Sequence, residues 1–64
     1  MNQYFITYDA QRKVLMFIKT DRPMNLNEVR KMIPNGANIS KHALQIWGMS
    51  MHKYEYVMSM LLES

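Results

Sequence analysis

Two segments near the start of the chain constrain its fold more than anything else in it. From Tyr4 to Asp9 the side chains alternate, with Tyr4, Ile6 and Tyr8 on one side and Phe5 and Thr7 on the other. That is strand spacing, filled with strand-favouring residues. Val14-Leu15-Met16-Phe17-Ile18 is a continuous apolar run, the pattern of a strand covered on both faces. Between them, Asp9-Ala10-Gln11-Arg12 suits a type I turn with aspartate at its first position. No Asn-Gly or Asp-Gly is present there, so a loop of about four or five residues is favoured over a two-residue one. The pattern predicts an antiparallel β-hairpin over residues 3–20, with aromatic side chains against which the rest of the chain can pack.

After the hairpin, Thr20-Asp21-Arg22-Pro23-Met24 is a connector broken by proline. Asn25 and Glu28 have the spacing of a capping box, each side chain serving the other's backbone amide. They predict a helix over 26–33 with Leu26, Val29 and Met32 or Ile33 on one face, ended by Pro34. Pro34-Asn35-Gly36 makes the next turn. Asn38 or Ser40 can cap a further helix, and 40–62 reads as helical apart from Gly48. The expected fold is α+β in one domain, 1–64: the N-terminal hairpin, a short helix, and a C-terminal helical region that is one long helix or two helices broken at Gly48.

Sixty-four residues allow only a thin stability margin, since a chain of this size buries about 60% of the surface its unfolded form exposes. Small domains commonly add disulfides, a metal or a partner. There is no cysteine, and His42 and His52 have no carboxylate at ligand spacing, so neither a disulfide nor a metal is expected, and no cofactor. A partner remains, with homodimerisation expected. No stretch approaches the roughly 20 apolar residues of a membrane span, and Met1-Asn2-Gln3-Tyr4-Phe5 lacks the basic flank and long apolar core of a signal peptide. A cytoplasmic location without membrane contact is the expectation. Catalysis has little to stand on: there is no phosphate loop, and little room for a pocket that would enclose a small-molecule substrate.

Gly48 is where the readings divide. In the first, a helix from Ser40 to Trp47 ends at Gly48, which takes a positive φ. Met49 then tucks into the angle and Ser50 caps a second helix, with Tyr54, Val57, Met58 and Leu61 facing inward. Ile39-Ser40 to Leu44, followed by Gly48-Met49-Ser50 to Val57 and Leu61, is similar to the second and third helices of helix-turn-helix and winged-helix DNA-binding domains, with Leu26 to Ile33 as their first helix. The resemblance covers residues 26–62. It implies DNA contact through the segment after Gly48, with Met51, His52, Lys53 and Tyr56 toward the groove and Arg30, Lys31 and Lys41 at phosphates.

In the second reading, Leu44, Trp47, Met51, Tyr54, Met58 and Leu61 alternate spacings of three and four along one helix, forming a heptad seam. Gly48 then sits beside the seam at a cost of about 1 kcal/mol relative to alanine. Such a seam can cover the hairpin, pair with a second copy, or bind a host protein.

Net charge is +3 with a pI near 9.5, from basic residues spread along the chain, which permits a nucleic-acid partner without requiring one. Eight methionines are a heavy load for this length. They suit either gap-filling in a small core or a surface that moulds to a partner. Tyr4, Phe5, Tyr8 and Phe17, with Arg12, Lys13 and Lys19 nearby, offer a further option of stacking unpaired bases. The expectation ranked first is a non-enzymatic regulatory protein that contacts DNA. The second is an interaction protein, of the kind phages and mobile elements use to bind and inhibit a host protein.

Overall fold

A computed structural model describes residues 1–63. The chain runs β1 (Gln3–Tyr8), β2 (Val14–Thr20), α1 (Leu26–Met32), a 3-10 turn (Gly36–Asn38), β3 (Gln45–Met49) and α2 (Met51–Glu63). The α+β class, the hairpin and the short first helix are as the sequence predicts. The additional element is β3. It joins the hairpin to make a three-stranded sheet of order β2-β1-β3, antiparallel throughout.

The hairpin loop is held by its aspartate. Asp9 Oδ1 accepts from the amides of Gln11 (2.8 Å) and Lys13 (2.9 Å), and the Arg12 amide donates to the Asp9 carbonyl at 3.0 Å. Arg12 closes the turn with φ 64°, a left-handed conformation. Strand pairing then slips at Thr7/Tyr8. Thr7 faces Met16 but Tyr8 faces Val14, which leaves Leu15 bulged out and exposed.

Alternation sorts the sheet into two faces. Phe5 pairs with Ile18, and both pack on buried Val29 of α1, with Met24, Ile33 and Ile46 around them. On the other face lie Tyr4, Ile6, Tyr8, Phe17 and Trp47. There α2 sets Tyr54 against the rings of Tyr4 (5.1 Å) and Phe17 (5.5 Å). The helices α1 and α2 therefore cover opposite faces. Ile6, fully buried, belongs to the α2 face and Val29, also fully buried, to the α1 face.

In α1 the capping box forms in full: the Glu28 amide donates to Asn25 Oδ1 at 2.9 Å and the Asn25 amide to Glu28 Oε1 at 3.1 Å. Helical geometry stops at Met32, and Ile33 is extended, as the following proline requires. Val29 and Ile33 turn inward, whereas Leu26 and Met32 are exposed. Asn35 then takes a left-handed conformation, φ 63°, and the buried Gly36 lies so close beneath α1 that a β-carbon there would collide with the Arg30 carbonyl.

The segment 40–49 differs from expectation. Ser40 does cap, accepting from the Ala43 amide at 3.2 Å, but the result is a single turn and not a helix. Residues 45–49 are a strand, so the predicted helix over 40–62 is confined to Met51–Glu63. Consequently neither the helix before Gly48, on which the helix-turn-helix reading depends, nor a continuous helix through Gly48 is formed. The physical reason is the free edge of β1. A strand without a partner on one side leaves backbone groups unpaired, and Gln45-Ile46-Trp47-Gly48-Met49 satisfies them in register from Tyr8↔Gln45 to Tyr4↔Met49. Pairing of this kind overrides a helix preference of a few tenths of a kcal/mol per residue. Gly48 has no positive φ. It pairs with Phe5, whose ring lies over it, and a β-carbon at Gly48 would stand 3.3 Å from Phe5 Cε1. Gly48 is thus neither hinge nor helix flaw. It is the strand position over which a core aromatic ring is laid.

Candidate interaction surface

The surface with the most to explain is α2. Its start is fixed by Ser50, whose Oγ accepts from the Lys53 amide (3.2 Å) and whose carbonyl accepts from the Tyr54 amide (3.0 Å), the capping role the sequence predicts. From there the helix has one strong anchor. Tyr54 is buried between Tyr4 and Phe17, Val57 and Met58 are half-buried, and every other residue of α2 is exposed. Removal of the Tyr54 hydroxyl from water raises its pKa above the ordinary tyrosine value, and the neighbouring Tyr4 adds to the shift.

Exposed apolar side chains lie along the second half of the helix. Tyr56 is 60% exposed, Met60 52% and Leu62 81%, with Leu61 at 45%.

A second feature lies at the opposite end of α2. Trp47, on β3, projects from the α2 face of the sheet and is 50% exposed. The Tyr8 ring meets it edge-on, with centroids 6.4 Å apart and planes at 86°. These two rings, with Gln45, Met49, Arg12 and Lys53, line an open hollow of about 370 Å³. The Trp47 indole N–H donates to Gln45 Oε1 at 3.4 Å.

Comparison with known proteins adds no relative: no family model, no curated protein and no solved structure matches the chain.

The residues expected to meet DNA are distributed unevenly. Met51, His52, Lys53 and Tyr56 are all exposed on α2, as are Lys31 on α1 and Lys41 before β3. Arg30 is engaged elsewhere. Its Nη1 donates to the carbonyls of Gly36 (3.2 Å) and Ile39 (3.0 Å), and its Nη2 to that of Leu44 (2.8 Å). The guanidinium thereby ties the segment between α1 and β3 back onto α1.

The seam expected for a protein interface is divided. Leu44 is buried ahead of β3, Trp47 is on β3, and Met51, Tyr54, Met58 and Leu61 are on α2. Of these, Tyr54 faces the hairpin, so the apolar periodicity marks in part the side of α2 that packs on the sheet. Base stacking on the hairpin aromatics is restricted in the same way: Phe5 is in the core and Tyr4 and Phe17 are used by Tyr54.

Sequence reasoning passes over the hollow beside Trp47. Its residues come from the hairpin, the loop, β3 and α2, and only the pairing of β3 with β1 brings them together. No helix longer than α2 exists among the described residues, and none is long and apolar enough to cross a membrane.

Proposed function

We propose that this chain is a non-enzymatic interaction protein that binds a host protein through the last turns of α2. The observation that carries the reading is the exposure of Tyr56 and Met60, one turn apart on one face of a helix whose only buried residue is Tyr54, with Leu62 exposed near its end. A short helix with apolar residues and flexible methionine suits insertion into an apolar groove on a partner, where methionine adapts to the shape it meets. Loss of activity in the bound protein, by occlusion, is the simplest outcome for a binder with no catalytic group.

The test compares the parent chain with a Tyr56→Ser, Met60→Ser, Leu62→Ser triple variant. All three positions are exposed, so helix content and melting temperature should stay close to the parent's. An immobilised parent chain should retain a specific protein that the triple variant releases. Equal retention by both, or no specific protein retained by either, refutes the assignment. Light scattering on the purified chain separates the competing occupant, a second copy. A dimer abolished by the same substitutions would assign the surface to self-association.

DNA contact is the second reading, favoured by the adjacent exposure of Met51, His52 and Lys53 on the first turn of α2. It predicts affinity for duplex DNA that falls steeply with salt. Anisotropy with a labelled duplex tests it, and no binding at low salt would remove it.

A further inference from the structure

The hollow at the start of α2 has a different chemistry from the helix's apolar end. Lys53 and Met60 are separated by seven residues of helix, or about 10 Å along the axis. The floor of the hollow is aromatic, with Trp47 and Tyr8 at right angles, and the Trp47 side chain is 50% exposed. Two cations, Arg12 and Lys53, are among its lining residues, and no carboxylate is. Neither cation forms an ion pair with any described residue. Asp9, the nearest acid in sequence to Arg12, has its Oδ1 engaged by the amides of Gln11 and Lys13.

The backbone at Arg12 is the second, independent observation. A left-handed conformation, φ 64°, is ordinarily given to glycine or asparagine, because a β-carbon there costs roughly 1 kcal/mol. The same chain places an asparagine at its other left-handed position, Asn35. At the hairpin turn it carries an arginine instead, its backbone amide bonded to the Asp9 carbonyl, and that arginine lines Trp47's hollow. Strain retained at an exposed turn points to a side-chain role for the residue that bears it. Gln45 adds a polar edge: its Oε1 accepts from the indole, which fixes the amide and leaves its NH2 as a donor beside the ring.

A flat stacking surface flanked by two cations and one amide selects a planar ring that carries negative charge close by. We propose that this hollow binds a nucleobase with its attached phosphate, the base stacked on Trp47 and the phosphate held between Arg12 and Lys53. An open hollow of about 370 Å³ takes one nucleotide and lets a strand continue out of it. Two sources supply that chemistry, an unpaired nucleic-acid strand and a free nucleotide.

Trp47 is the only tryptophan, so its fluorescence reports stacking directly. The full chain is titrated with an oligothymidylate of about a dozen nucleotides and, separately, with thymidine monophosphate. Saturable quenching by the oligonucleotide alone assigns the site to single strands, and equal quenching by the mononucleotide assigns it to free nucleotides. With two cations engaged, raising salt from about 50 to 200 mM should weaken oligonucleotide binding roughly sevenfold. By anisotropy of a labelled oligonucleotide, Trp47→Leu should bind at least about tenfold more weakly.

Arg12→Asn separates function from folding. It should bind about threefold more weakly while melting at or above the parent temperature, because asparagine accepts the left-handed conformation more readily. Absence of quenching at the lowest salt overturns the proposal. Binding by an abasic oligonucleotide as tight as by the oligothymidylate overturns the stacking role, and unchanged binding by Arg12→Asn overturns the assignment of Arg12.

Discussion

Replacement of Arg30 by methionine tests how the chain between α1 and β3 is held. The substitution keeps an unbranched apolar stem and removes every donor. In the parent, Nη1 and Nη2 donate to the carbonyls of Gly36, Ile39 and Leu44 at 3.2, 3.0 and 2.8 Å. A hydrogen bond to a charged group contributes about 1.5–3 kcal/mol when well buried. Arg30 is only half-buried, and water can replace part of what is lost at the two outer carbonyls. The contact to Leu44 is the shortest and adjoins a side chain that is 2% exposed, so it recovers least. A total loss of about 2–3 kcal/mol is expected. For a domain of this length, with a whole stability of roughly 3–10 kcal/mol, that is a large fraction. The melting temperature should fall by about 8–24 °C, at 4–8 °C per kcal/mol. Circular dichroism melting measures it. Arg30→Lys should recover little, because an ammonium on a flexible stem cannot reproduce a planar fork that reaches three carbonyls. A loss below about 0.5 kcal/mol for Arg30→Met, or full recovery by lysine, would refute the clamp and return Arg30 to the surface cations available to phosphate.

Gly36→Ala should destabilise by about 3 kcal/mol in urea unfolding, since the added methyl meets the Arg30 carbonyl, a backbone atom that cannot swing aside; a neutral substitution would contradict that packing. Tyr54 has its pKa raised by burial and by Tyr4, so the unfolded chain releases that proton at lower pH than the folded one. Stability is then fully present below the unfolded tyrosine value, near 10, and declines as pH rises through the higher folded value. Tyr54→Phe should flatten this alkaline decline in melting temperature, and an unchanged slope would place the effect elsewhere. Ile6→Ala should cost about 3–4 kcal/mol, the loss expected where a fully buried branched side chain leaves a cavity between β1 and α2; a loss under 1 kcal/mol would show that the site is not closed.

How much of the fold is legible in the sequence depends on how local the cause is. The hairpin is set by alternation and by Asp9, and α1 by Asn25 and Glu28, all within a few residues of what they control. Helix α2 is likewise marked by Ser50. Strand β3 is not local. Only five residues long, with Ile46 its one β-branched residue, it owes its form to the open edge of β1 about forty positions earlier, a distance no short-range pattern spans. Gly48 reads as a hinge or a flaw only while a helix is assumed around it, whereas its partner is the ring of Phe5. Arg30 reads as a surface cation until the chain folds back beneath it. The candidate sites divide in the same way. Exposure of Met51, His52, Lys53 and Tyr56 is readable from helical spacing, whereas the hollow joining Tyr8, Arg12, Trp47 and Lys53 exists only once β3 is in the sheet.

The central claim is that the last turns of α2 are a protein-binding surface. Amide hydrogen exchange across the chain, with and without the retained partner, tests it most directly. Binding should slow exchange from Tyr56 to Leu62 by at least about tenfold and leave α1 and the outer edge of β2 unchanged. Protection confined to β2 or α1, with the α2 amides exchanging as in the free chain, would contradict it.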